Sequence, residues 1–475
     1  MKVLITNPPG NEFKRGAGSR WPHRNVDKTA FQYEPFPFFL GITAAILEKE
    51  GYDVDFKDCV ASKLDRKKFL EHVGNLAPDL VIMQTSAPSY YYDLETKKFL
   101  EMPVAAVGVH ASALPLQHLQ DGFDFALCGE YDMTVLELAK RIKQGTGPDK
   151  IKGVSYMKNG NFCFQGYSDV IKDLSKLPWP ARHLMPMDKY NEPFACGRNV
   201  WMMSARGCGY QCIYCTIPSF WGRPSYRTRD VKDVCDEMEH IIKTYRPNEI
   251  YFDDASLTIS QKHATMLSEE ILNRNFHISW RCMIDPNTPP SLLDMMYQAG
   301  CRGVKLGVES GDVDVLKKIG RSSNLGNVRR VVGKCKELQM QVHATFMLGL
   351  PGETLEKAKK SVDFLLSLDV DAAQLFIATP FPGTRFYTIS KENKWLISDD
   401  WSTYDGLHPI VEYPGYRAEE ITKAFKSASV RWERRTVFSK PMRVIHHLRN
   451  VYIRNGFGEL IRTIWWGMKR ILLGL

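Results

Sequence analysis

A chain of 475 residues with 44% hydrophobic and 11% aromatic content is globular and too long for one ordinary domain, so two or three domains are expected. No apolar run approaches the roughly 18 residues that a membrane-spanning helix needs. The net charge of +9 is concentrated at one end: residues 416–475 hold 13 Lys and Arg against four Asp and Glu, so an anionic surface is expected as partner for that end alone.

In chain order, KVLITNPP, YDVDFKDC, DLVIMQTS, VAAVGVH and DFALCGE are short runs rich in apolar and β-branched residues, the pattern of buried strands. Helical periodicity separates them near residues 38–50, 67–75, 91–100, 114–119 and 134–143. Five strands with helical crossovers predict an α/β domain over residues 1–145, a doubly wound, flavodoxin-like parallel sheet. Ligands of such sheets bind at the carboxyl ends of the strands. Those ends read Asn7-Pro8-Pro9-Gly10, Thr85-Ser86-Ala87-Pro88, Gly108-Val109-His110-Ala111-Ser112 and Gly129-Glu130. The opening MKVLITNPPG runs into Pro-Pro instead of a secretory cleavage site, and most of the 11 cysteines are scattered, so free thiols in a reducing cytoplasm are expected.

Residues 146–198 read as a linker, and the proline-punctuated LSKLPWPARHLMPMDKY suggests one that packs on both neighbours. The alternation then resumes with VWMMSA, EIYFDDA, ISWRCMI, GVKLGVE, VHATFMLG and AAQLFIAT. Helices are expected between them near 231–243, 261–273, 290–298, 325–338 and 355–366. Six β/α units predict an open, partial (β/α)6 barrel over residues 199–390, with its site at the carboxyl ends of the strands. A mainly helical region, 391–475, ends in FGELIRTIWWGMKRILLGL. Apolar residues there fall at 457, 460, 461, 464, 465, 468, 471, 472 and 475, with Arg462, Lys469 and Arg470 on the other side. This basic amphipathic helix predicts a peripheral contact with the inner face of a membrane, against the alternative of a helix packed on the barrel. Nucleic acid is a poor partner, because the basic residues interleave with an apolar stripe.

Directly after the first barrel strand comes SARGCGYQCIYC, with Cys208, Cys212 and Cys215 spaced C-x3-C-x2-C. Structural zinc takes four N or S ligands, and a cubic iron–sulfur cluster serving electron transfer usually takes four thiolates. Three thiolates leave one metal corner open, which points to chemistry instead of stapling.

The loop, with an aromatic at Tyr214, resembles that of radical S-adenosylmethionine enzymes of the cobalamin-binding class, related to anaerobic magnesium-protoporphyrin ester cyclases and hopanoid-modifying enzymes. Further matches are GAGSRWP (16–22), GVHASALP (108–115), CGEYDMTVLEL (128–138), LPWPARHLMPMDKY (177–190), GVESG (307–311), MLGLPGET (347–354) and ATPFPGT (378–384). The resemblance implies that Cys208, Cys212 and Cys215 ligate three irons of a 4Fe–4S cluster and that S-adenosylmethionine takes the fourth. An external low-potential donor would then supply the electron that breaks the sulfonium bond, giving a radical that abstracts hydrogen from an unactivated carbon.

It also implies S-adenosylmethionine contacts at Tyr214, Asp253, Asp254, Arg281, Glu309, Ser310 and Gly349. Simpler roles stand beside several of these: Asp253 and Asp254 as helix caps, Arg281 as a partner for Asp285, and Gly349 as an ordinary turn. Cobalamin would lie against Ser86, Val109, His110, Gly129 and Glu130. The D-x-H-x-x-G loop that supplies a cobalt ligand elsewhere is missing, since His110 lacks the Asp two residues before it. The expected substrate is a hydrophobic small molecule such as a lipid, isoprenoid or tetrapyrrole, methylated or cyclised at an unreactive carbon. A cobalamin-free radical enzyme is the nearer alternative. An iron–sulfur electron-transfer protein is the more distant one, because electron transfer needs no ligand-shaped strand ends.

Overall fold

The structure, a computed structural model, describes residues 1–10, 34–192, 195, 197–217, 226–321 and 324–439, with isolated helical positions between 448 and 465. Its N-terminal part alternates β1 (Lys2–Asn7), α1 (Phe38–Lys49), β2 (Asp53–Asp58), α2 (Arg66–Leu76), β3 (Leu80–Gln84), α3 (Tyr90–Lys97), β4 (Val104–Val107), α4 (Val109–Ala113), α5 (Pro115–Gln120), β5 (Phe125–Leu127) and α6 (Asp132–Lys143). The first five strands pair in parallel in the order β2-β1-β3-β4-β5, the flavodoxin-like winding expected. The central strands are apolar on both faces because helices cover both: Val3, Ile5 and Ile82 face one core, Leu4, Val81 and Met83 the other.

The segment expected to be only a linker does more. β6 (Val154–Lys158) and β7 (Asn161–Phe164) form a hairpin that extends the same sheet antiparallel to β5. Alternation in so short a pair, with exposed Phe162 and Phe164, is too weak a signal to separate from loop. The proline-rich part then ties the two halves together. Ala181 N–H donates to Gly41 O in α1 at 2.9 Å, and Arg182 reaches the barrel, donating to Trp201 O at 2.9 Å and pairing with Glu237 at 2.6 Å.

The barrel follows: β8 (Asn199–Met202), a short pair β9 (Ala205–Arg206) and β10 (Arg227–Thr228), α7 (Val231–Tyr245), β11 (Glu249–Phe252), α8 (Gln261–Asn273), β12 (Ser279–Ile284), α9 (Pro290–Gln298), β13 (Cys301–Glu309), α10 (Val313–Lys318), α11 (Leu325–Glu337), β14 (Gln341–Leu348), α12 (Leu355–Ser367) and β15 (Ala372–Ile377). Six strands pair in parallel in the order β15-β14-β13-β12-β11-β8, an open half-barrel. Its helices start where side chains satisfy their first amides: Asp230, Ser260, Asn324 and Thr354 each accept from an N–H one turn in.

After α13 (Arg385–Glu392), residues 401–410 fold back over the N-terminal sheet, where Trp401, Tyr404 and Ile410 join the core of Leu4, Val81 and Met83. α14 (Ala418–Ser439) then packs on α12 and β15. Of the expected amphipathic helix, Phe457, Ile461, Ile464 and Trp465 are exposed, and most of the rest of 457–475 lies outside the described residues, as does the 16–22 motif. Among the described residues no helix is long and apolar enough to cross a membrane.

Strand ends meet helices closely. A Cβ on Gly311 would stand 2.7 Å from Phe364 Cβ and 2.8 Å from Ser361 Cα, whereas one on Gly333 in α11 would meet nothing within 4 Å. Gly311→Ala should therefore cost about 1–3 kcal/mol through overpacking, and Gly333→Ala should gain about 0.5–1 kcal/mol from helix propensity. Urea midpoints of the two variants check this, and the opposite order would contradict the packing described.

Candidate functional site

The three cysteines lie on the loop 207–226, whose stem is the antiparallel pair of β9 and β10. Arg206 and Arg227 stand directly opposite each other in that pair. Both plug into carboxylates just beyond the carboxyl end of β5. Arg206 makes a bidentate pair with Asp132 at 2.9 and 3.0 Å, and Arg227 grips Glu130, with one contact at 3.1 Å. Side-chain exposure is only 2% for Arg206 and 1% for Asp132 and Glu130. Two cations and two anions are thus buried together, with Arg206 also lying 4.7 Å over the Phe39 ring. A buried pair of this kind is costly to break because the survivor keeps its charge out of water.

A second device sets the stem from the barrel side. Asp254, at the end of β11, accepts from the Ser204 and Ala205 amides at 2.8 and 2.9 Å and from the Ser204 hydroxyl at 2.6 Å. His263 Nε2 meets the same hydroxyl at 3.0 Å. Burial holds this imidazole down to about 4, so it is neutral, and with the Ser204 proton given to Asp254, Nε2–H is the donor. Further along, Ile213 N–H donates to Ile319 O at 3.0 Å and Phe386 N–H to Ile213 O at 2.9 Å. The loop is therefore anchored at both ends and in the middle.

None of the three cysteines is in a disulfide, and Cys212 is buried while Cys208 and Cys215 are half-buried. Among the described residues no three His, Cys, Asp or Glu side chains converge to hold a single metal ion. Three thiolates on one loop suit a cluster that keeps one iron open to another ligand, whereas structural zinc takes four N or S ligands.

Beside the thiols lies an ion group of which only part was expected. Glu309 closes β13 at a bulge, with φ +70°, a left-handed backbone that costs a non-glycine residue about 1–3 kcal/mol and clusters at functional sites. Its carboxylate accepts from Thr345 Oγ1 at 3.4 Å. Burial pushes the Glu309 pKa up, while Arg321 and Thr345 hold it back. Arg321, for which sequence offered only a basic residue in a loop, sends one nitrogen to Gly307 O at 2.6 Å and another to within 4.0 Å of Cys212 Sγ. Burial opposes its charge, but Tyr214, Glu309 and Cys212 more than restore it. Gly307 makes this possible, since a Cβ there would stand 2.6 Å from Glu309 Oε1 and 3.0 Å from Arg321 Nη2.

The other expected contact residues have these partners within the protein. Asp254 braces the stem as described, and Asp253 is buried beside it. Ser310 turns its hydroxyl to Ser361 at 3.0 Å. Arg281 pairs with Glu249 at 2.8 Å, not with Asp285, and reaches Gln341 at 3.2 Å. Gly349 gives its N–H to Glu353 and receives the Tyr413 hydroxyl on its carbonyl at 2.8 Å. Tyr214 is buried between the loop and Glu309.

At the N-terminal strand ends, Ser86 bonds Ser89 at 2.6 Å, Gly129 lies against Ser168 and Glu130 belongs to the stem clamp. Val109 is half-buried at the start of α4. His110 is enclosed by Tyr90, His118 and Trp401, ring centroids 4.9–5.2 Å away. Its ring nitrogens have no hydrogen-bond partner, and burial holds it uncharged. So enclosed, His110 does not fit the role of a cobalt ligand.

Residues 202–365 match the family model described as the radical SAM superfamily. The chain is 28% identical over 484 residues to an uncharacterized methyltransferase of Pyrococcus horikoshii, covering 99% of this chain and 98% of that one. It is 24% identical over 434 residues to an anaerobic magnesium-protoporphyrin IX monomethyl ester cyclase of Rubrivivax gelatinosus, covering 87% and 74%. The fold matches that of a radical S-adenosylmethionine methyltransferase, TsrM, of Kitasatospora setae, solved with cobalamin and a 4Fe–4S cluster bound. The TM-score is 0.66 at 20% identity over 83% of this chain and 78% of that one.

Two outcomes follow from these contacts. Asp132→Ala removes the bidentate partner of the buried Arg206, leaving it only Glu130 at 3.8 Å, and should cost about 3 kcal/mol, read as a lowered urea midpoint with unchanged slope. For pH, His263 and His118 are both held down to about 4 by burial, against an ordinary 6.5. The unfolded chain takes up their protons first, so their contribution is complete above 6.5 and is lost as pH falls towards 4, by at most ~1.4 kcal/mol per histidine per pH unit. Glu353, pushed up to about 8 by burial, works in the opposite sense from pH 8 down to 4.5. His263→Gln isolates the histidine: its stability deficit against wild type should shrink between pH 7.5 and 5.5. A constant deficit would contradict a neutral, buried His263.

Proposed function

We propose that this chain, whose residues 202–365 match the radical SAM superfamily model, is a cobalamin-dependent radical S-adenosylmethionine enzyme that modifies an unactivated carbon of a hydrophobic small molecule by methylation or ring closure. One observation supports this most: the stem of the cysteine loop is clamped by Arg206–Asp132 and Arg227–Glu130 onto the carboxyl end of the N-terminal sheet. The two ligand-binding faces of the folds, strand ends in each case, are thereby held edge to edge.

Cys208, Cys212 and Cys215 would hold the cluster, which when reduced supplies the electron that cleaves the sulfonium bond. The protein's own task is positioning. Arg321 presents a guanidinium that matches a carboxylate such as that of the methionine moiety. Glu309, fixed by its bulge, presents hydrogen-bond capacity to hydroxyl groups from beside Thr345. Tyr214 and the buried loop contacts shield Cys212 from water. Cobalamin, when bound, would carry a methyl group or electrons. The chain would hold it without His110 under the cobalt, along the Val109 face of the N-terminal sheet. The exposed Phe457, Ile461, Ile464 and Trp465 and the basic end of the chain support a peripheral membrane contact, in keeping with an apolar substrate.

Anaerobically reconstituted protein should bind about four irons, and Cys208→Ala, Cys212→Ala, Cys215→Ala together should abolish this. On reduction it should release 5′-deoxyadenosine or S-adenosylhomocysteine from S-adenosylmethionine, measured by chromatography. An intact cluster with no cleavage under any low-potential reductant would refute the enzymatic role. Cobalt at background level in iron-replete protein would favour the cobalamin-free alternative.

A further inference from the structure

Two short helices grip the middle of the cysteine loop, and the exposed sides of both are basic. Ile213 N–H donates at 3.0 Å to Ile319 O, just past the end of α10, and Phe386 N–H, in the first turn of α13, donates to Ile213 O at 2.9 Å. A Cβ on Gly320 would stand 3.1 Å from Gln211 O. The loop itself reaches solvent here, since Gly209 and Gln211 are exposed although Cys212 is buried. Residues next in sequence to two of the thiols thus form part of the surface.

Lys317 and Lys318 at the end of α10, and Arg385 and Lys391 on α13, are all exposed beside this stretch. Lys391 lies 5.5 Å over the Tyr387 ring, but among the described residues none of the four has a carboxylate partner. Each helix carries one carboxylate on its exposed side: Asp314 of α10 is held by Lys357 at 3.4 Å, which leaves Glu392 of α13 against four cations. Helix chemistry explains only part of this. Lysines in the last turn of α10 and Lys391 in α13 offset the negative ends of the helix dipoles. Arg385 is the first residue of α13, where a cation meets the positive end and is unfavourable. Its purpose therefore lies outside the helix.

We propose that this face receives the electron donor: an acidic one-electron carrier protein docks over Gln211 and Gly320, and its carboxylates meet Lys317, Lys318, Arg385 and Lys391. The inference rests on the enzymatic role above and adds where its external donor is recognised. One electron passes from the reduced carrier to the oxidised cluster, the carrier is oxidised by one electron, and no bond forms or breaks. Transfer slows steeply with distance, so a carrier gains from sitting where the loop that bears the thiols is itself exposed. Electron-transfer encounters bury little area, below about 1,200 Å², and charge sets their rate and orientation. Four cations around an exposed stretch of loop suit such an encounter. An anionic membrane would also be attracted, but it would gain nothing from the nearness of the thiols.

Reconstituted holoprotein is mixed in stopped flow with a reduced plant-type ferredoxin of acidic surface or with reduced methyl viologen, a small cation, and bleaching of the cluster is followed by absorbance. Binding of the oxidised ferredoxin is measured separately by biolayer interferometry. The double variants Lys317→Glu with Lys318→Glu, and Arg385→Glu with Lys391→Glu, should each slow reduction by ferredoxin and weaken its binding about ten- to a hundredfold at low salt. Raising the salt should shrink the difference. Reduction by methyl viologen should be no slower than in wild type. Arg385→Glu alone should slow ferredoxin without lowering the urea midpoint, because an anion suits a helix N-terminus, and so keeps the comparison open should a double variant not fold. Ferredoxin rates and binding unchanged in both double variants would overturn the proposal, as would equal slowing by both reductants. Variants that keep the ferredoxin rate but no longer sediment with phosphatidylserine vesicles would overturn it too, by making the patch a membrane contact. Reduction and binding are read without S-adenosylmethionine, so failure of the enzymatic role, an intact cluster that cleaves none of it, is seen separately.

Discussion

Four buried charges hold the protein's chemistry in place. Arg206 and Arg227 face each other across the two-residue strands at the base of the cysteine loop, and Asp132 and Glu130 of the N-terminal domain receive them. Desolvating such groups is expensive, and the cost is offset only when geometry is good and every charge is matched. That condition is met only when the two domains sit in one relative position. The pairs thus contribute specificity of arrangement more than net stability: the loop has one place to be, and the N-terminal strand ends are part of that place.

Around this clamp the barrel supplies rigidity from its own side. Asp254 spends its carboxylate on the Ser204 and Ala205 amides, and backbone bonds from Ile319 and Phe386 pin the loop's middle. Positions that carry strain lie close by. Glu309 sits in a left-handed conformation at a bulge, held there because Thr345, Arg321 and the missing Cβ of Gly307 together determine where its carboxylate goes. Glycines in β13 serve less to free the backbone than to admit guanidinium groups, which turns a plain strand into a wall lined with cations.

The C-terminal region closes the arrangement. Residues 401–410 return to the N-terminal sheet, where Trp401 and Tyr404 pack with Tyr90 and His110. His110 is thereby sealed among aromatic rings and remains neutral. The N-terminal sheet and the 401–410 segment share one core, so the barrel is bracketed by the part that precedes it and a segment that follows it.

Periodicity and spacing in the sequence determined the parallel α/β architecture, both strand sets, most helices and the three-cysteine loop, because these depend on local alternation and on residue types close together in the chain. The hairpin at 154–164 escaped because strands of five and four residues carry little alternation. Arg321 escaped because it reaches Cys212 from 109 residues away. Sequence could mark Asp254, Arg281, Ser310 and Glu130 as polar groups at or near strand ends, but not whether they turn to a ligand or to a neighbour. Only the tertiary structure shows which neighbours lie within reach, amides for Asp254, Glu249 for Arg281, Ser361 for Ser310 and Arg227 for Glu130, because a buried polar group goes to whichever partner the fold brings within hydrogen-bond reach.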